Sequence, residues 1–141
     1  MIDIAHVVQS SVAPVFLLSG VAATLAVLTN RLGRIVDRAR ALEQRFESHA
    51  TSAPQLHADL ALLARRARYI NVAISLATIA ALLVALVVVT LFVHAFLGPD
   101  LGAVIALLFT AAMVCLSAAY VAFFIEVRVA MAALRIGISR A

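Results

Sequence analysis

Lysine and tryptophan are absent from this chain of 141 residues, cysteine occurs once, and proline occurs three times. Charge is also scarce: 13% of residues are Asp, Glu, Lys or Arg, against 65% hydrophobic. With Cys115 alone no disulfide can close within the chain. Cys115 falls in the middle of an apolar run, where a thiol acts as a small filler rather than a nucleophile. A soluble domain is apolar at nearer half of its positions, so this composition calls for lipid around most of the surface. Pro14 and Pro99 fall near the edges of the apolar runs and Pro54 between the first two, which leaves the runs themselves free to be helical.

Positive charge is missing from particular places. Three apolar segments cover about 12–30, 69–97 and 101–125. Arg31, Arg34, Arg38, Arg40, Arg45, Arg65, Arg66 and Arg68 fill the gap between the first two, and Arg128, Arg135 and Arg140 follow the third. The first dozen residues and the connection His94–Gly102 contain no Lys or Arg. Basic residues collect on the cytoplasmic side of membrane spans. The sequence is therefore expected to be a single membrane domain, 1–141, in the cytoplasmic membrane, with its N-terminus outside and its C-terminus inside. The opening residues lack the basic lead of a secretory signal, since the first charge is Asp3. The net charge of +4 borders membrane spans, where anionic head groups are nearer partners than nucleic acid.

Residues 1–11 read as a helical lead-in, with Pro14 near the start of the first span, where a missing N–H costs least. No breaker separates Asn30 from Arg31, so the first helix is predicted to continue past the span. Leu28, Leu32, Ile35, Ala39, Leu42 and Phe46 recur in steps of four and three and hold one helix face. The stretch 48–53, which includes His49, is small and polar, and Ser52 with Gln55 three residues on reads as a capping box. A matching seam follows: Leu56, Leu60, Leu63, Ala67, Ile70, Ile74, Ala77 and Ala81. The fold class is thus all-α: three transmembrane helices, with helices 1 and 2 extended into a cytoplasmic antiparallel hairpin over about 31–68.

Three sets of residues are candidates for function. Arg31, Arg34, Arg38, Arg45, Arg65, Arg66 and Arg68 serve at least as interfacial anchors, and as a group they also suit anionic lipid or an acidic cytoplasmic partner. Ser19, Ala23, Ala26 and Asn30 form a stripe of small and weakly polar side chains, with Asn71 and Ser75 at comparable depth on the second span. Such stripes let membrane helices approach closely, or line a pore in a symmetric assembly. Glu126 is the one acid close to a span interior. A carboxylate there needs a cation, and Arg31 or Arg68 is the expected partner. The histidines lack ligand spacing for a metal, and no catalytic constellation or cofactor motif is present.

Three pieces of this chain, PVFLLSG at 14–20, LTNRLGRIVDRARALE at 28–43 and RRARYINVAISL at 65–76, resemble an uncharacterised bacterial family of small three-span integral membrane proteins. The carrying pattern is N-R-x-x-R-x-x-D-R-x-R, met here by Asn30, Arg31, Arg34, Asp37, Arg38 and Arg40. The resemblance implies the three-span topology and no activity. The functional expectation is a non-enzymatic, homo-oligomeric membrane scaffold or interaction protein. The alternative is a homo-oligomeric channel with helix 1 lining the pore. Ala111, Cys115, Ala118 and Ala122 add a small-residue face on the third span for assembly.

Overall fold

The computed structural model describes residues 3–48 and 52–139; His49 and Arg140 lie outside them. Among the described residues the regular structure is three helices, α1 (Ile4–Glu47), α2 (Ala53–Leu97) and α3 (Gly102–Ser139), with no strand. Each contains a stretch long and apolar enough to cross a membrane. At 1.5 Å per residue, the 44 residues of α1 extend about 66 Å, roughly twice a 30 Å hydrocarbon core.

Local chemistry sets the helix ends. Asp3 precedes α1 and its Oδ1 accepts the His6 N–H at 3.4 Å, as an N-cap does. Starting there, α1 carries Pro14 in its interior rather than in a first turn, so the chain gives up one helical hydrogen bond at that point. The two preceding serines fold their hydroxyls back along the helix, Ser10 to the His6 carbonyl and Ser11 to the Val7 carbonyl, both at 2.9 Å. At the far end the Ser48 hydroxyl donates to the Arg45 carbonyl. Ser52 immediately precedes α2 and its carbonyl accepts the Leu56 N–H at 3.0 Å. α2 closes on Gly98, whose φ of +77° is open to glycine at little cost, and whose N–H reaches the His94 carbonyl.

The chain divides into two compact units, Met1–Ala26 with Ser75–Ala119 and Val27–Ile74 with Tyr120–Ala141. In the first, Val21, Ala77 and Ala119 are buried, packed by Leu25, Leu76, Ala81 and Leu116. In the second, Leu28, Ile35, Leu63, Ile70, Ala73 and Ala122 form the core, joined by Leu32, Ala39, Leu42 and Ala67. These are largely the two seams legible in the sequence; Phe46 departs from its seam and is exposed. Within this second unit α1 and α2 run in opposite directions: Arg31 and Arg66 share one partner, while Arg38 and Asp59 border one cleft.

The third helix differs from the sequence expectation in two ways. It continues to Ser139, because Val127–Ile136 contains neither glycine nor proline. Its extension packs in the second unit, with Ala130, Ala133 and Leu134 bordering the same cleft as Leu62 and Leu63. The second unit thus takes in part of α3 beside the two helices of the predicted hairpin. The buried alanines of α3 are Ala112, Ala119 and Ala122, while Ala111 is exposed.

Candidate functional site

The second unit contains the one fully buried charged side chain among the described residues, Glu126. Helical spacing puts it there, four residues after the buried Ala122. Arg31 lies three residues after Leu28 and four before Ile35, and Arg66 three after Leu63 and four before Ile70, so both stand beside a buried seam. Arg31 donates to Glu126 Oε2 from Nη2 at 2.7 Å and from Nε at 3.2 Å. Arg66 Nε donates to Oε1 at 3.0 Å. Each carboxylate oxygen is thus held by a different helix. The Arg31 guanidinium also lies 5.4 Å from the centre of the Phe123 ring, a cation–π contact.

Arg68, the alternative partner expected from sequence, is exposed and takes no part in the Glu126 ion pair. Two residues advance a helix by about 200°, which turns Arg68 away from the face that Arg66 occupies. Applying the three-and-four rule to Arg66 would have identified it, because it alone of the three neighbouring arginines is in step with both Leu63 and Ile70.

A cleft of about 250 Å³ opens beside this clamp, lined by Arg31, Arg34, Ile35, Arg38 and Arg66. Arg34 and Arg38 are exposed, and neither makes an ion pair with a described residue. Four guanidinium groups stand against two carboxylates, Glu126 behind Arg31 and Arg66 and Asp59 in the neighbouring cleft with Arg38 and Arg66, an excess of two positive charges. A second cleft of about 430 Å³ shares Arg38 and Arg66 with the first and is otherwise mostly apolar, with Asp59 as its acid.

The other candidate residues fall elsewhere. Arg45 and Arg65 are exposed, Arg65 stacking over Tyr69 at 6.0 Å. Ser19, Ala23, Ala26 and Asn30 are all exposed, as are Asn71 and Ser75. Ser19 borders an apolar cleft of about 450 Å³ with Phe16 and Phe92. No group of three or more potential metal ligands occurs among the described residues.

Three long apolar helices and a buried carboxylate fixed by two arginines define a small multi-pass helical membrane protein. Residues 11–136 match the family described as "Protein of unknown function (DUF2721)", and the chain belongs to that family. Neither the curated proteins nor the solved structures provide a match.

Proposed function

We propose that this protein is a non-enzymatic interaction protein of the bacterial cytoplasmic membrane, homo-oligomeric, with its arginine-rich region on the cytoplasmic side in contact with anionic lipid or an acidic protein. The observation that carries this reading is the charge imbalance at one cleft of the second unit: four arginines line it, against the buried Glu126 and Asp59 of the neighbouring cleft. Guanidinium groups bind phosphate and carboxylate through paired N–H donors, and the cytoplasmic leaflet supplies such anions at high density. Assembly is supported by the small side chains of Ser19, Ala23 and Ala26, which stand exposed on a single copy where close helix approach is favourable.

Native mass spectrometry of protein extracted in a mild detergent tests both parts. Several copies per particle, with phosphatidylglycerol retained over phosphatidylcholine, are expected. A monomer that retains the two lipids equally contradicts the reading.

The channel alternative is favoured by the same exposed stripe together with Asn30. It requires ion current through protein reconstituted in planar bilayers, altered by Asn30→Leu. Silent bilayers at all voltages remove it.

A further inference from the structure

The two clefts of the second unit share a wall, and their linings differ in chemistry. The smaller is lined by four guanidinium-bearing side chains and Ile35. The larger is lined mainly by apolar side chains, Leu42, Leu62, Leu63 and Leu134 among them, with one acid, Asp59, and Arg38 and Arg66 belong to both. We propose that the arginine cleft is a binding site for one phosphate group, and that the adjoining cleft holds the hydrocarbon part of the molecule that carries it. This rests on the anionic-contact reading above and narrows it from a basic surface to a defined site.

Donor supply comes first. A guanidinium carries five N–H donors. Arg31 uses two of its atoms on Glu126 and Arg66 uses one, so both keep N–H groups while bordering the cleft. Arg34 and Arg38 spend none on an ion pair with a described residue.

Charge comes second. A phosphate monoester carries about −1.5 to −2 at pH 7, which offsets most of the excess of two left after Glu126 and Asp59 are counted. Glu126 offers no competition at the surface, because it is fully buried and both its oxygens are already engaged. It acts as a positioning residue, holding two arginines whose mutual repulsion would otherwise spread them.

Size comes third. At about 250 Å³ the polar cleft is below the roughly 300–1,000 Å³ of pockets that enclose a whole small molecule. It suits a head group whose remaining bulk lies elsewhere, and the apolar neighbour of about 430 Å³ provides that place. An extended acidic peptide would leave this apolar wall unused.

The test is binding to purified full-length protein in a neutral detergent, measured by calorimetry with three probes: inorganic phosphate, dioctanoyl phosphatidic acid and hexaglutamate. Two variants remove equal charge. R34Q/R38Q removes two of the four arginines that line the cleft, whereas R40Q/R135Q removes two that line neither cleft. The expected result is phosphatidic acid binding at least tenfold tighter than phosphate, weakened at least tenfold by R34Q/R38Q and little changed by R40Q/R135Q. Equal binding of phosphate and phosphatidic acid, with the same variant pattern, supports the phosphate site and assigns it to a soluble ligand, overturning the hydrocarbon part. Equal weakening by the two variants overturns the site while leaving the basic-surface reading intact. Tighter hexaglutamate binding overturns it in favour of an acidic protein. If the wild type binds none of the probes, both readings fall.

Discussion

At the scale of single residues, the most consequential arrangement is Glu126 with Arg31 and Arg66. A carboxylate fully removed from solvent is stable only while its cations remain, since an uncompensated buried charge costs several kcal/mol. Removing both arginines as R31M/R66M is expected to cost about 3–5 kcal/mol. Adding E126Q to that pair is expected to recover part of the loss, because it removes the stranded charge. Thermal unfolding in detergent compares the two, and a triple variant less stable than the double contradicts the clamp. Part of this was legible in the sequence. Arg31 was foreseen because it lies at the depth of Glu126. Depth alone does not separate Arg66 from Arg68; the helical angle relative to Leu63 and Ile70 does.

At the scale of elements, the seams of α1 and α2 could be read before any coordinates, because a step of three and four along a helix is a geometric constraint. Ile70 is fully buried, so Ile70→Ala is expected to cost about 2–5 kcal/mol. Phe46 belonged to the same pattern yet stands 41% exposed, so Phe46→Ala is expected to cost well under half of that. Denaturation of the two side by side checks the ordering, and equal losses contradict it. Gly33 lies within α1, and a Cβ added there meets nothing within 4 Å. Gly33→Ala is expected to stabilise by about 1 kcal/mol, whereas Gly98→Ala, at φ +77°, is expected to destabilise by about 1–2 kcal/mol. A gain at Gly98 or a loss at Gly33, seen as opposite shifts of the thermal midpoint, counts against this account of the two positions. The extension of α3 was not legible. Small and apolar residues after Ile125 suit a membrane interface as well as a protein contact, and only their place beside a cleft shared with α1 and α2 decides between them.

At the scale of the whole molecule, the proposed orientation and the proposed role rest on the same arginines. Basic residues flank all three apolar segments on one side, and the cleft in the second unit is built from four of them. If that side is cytoplasmic, the cleft meets the leaflet and compartment where anionic lipid and phosphate esters are abundant. If it is not, the same residues have no such partner. Salt separates a defined site from a diffuse field, because exposed charges are screened at high ionic strength more than partly buried ones. Phosphatidic acid binding by the wild type is therefore expected to persist in 0.5 M sodium chloride, and its complete loss contradicts a site.

The sidedness of Ser48 tests the central claim most directly. Ser48 is exposed at the end of α1, and Ser48→Cys in a Cys115→Ser background gives one thiol to follow. A membrane-impermeant maleimide is expected to label it in inverted membrane vesicles and to leave it unlabelled in intact spheroplasts. Labelling in intact spheroplasts would put the arginines on the outer face and contradict the account.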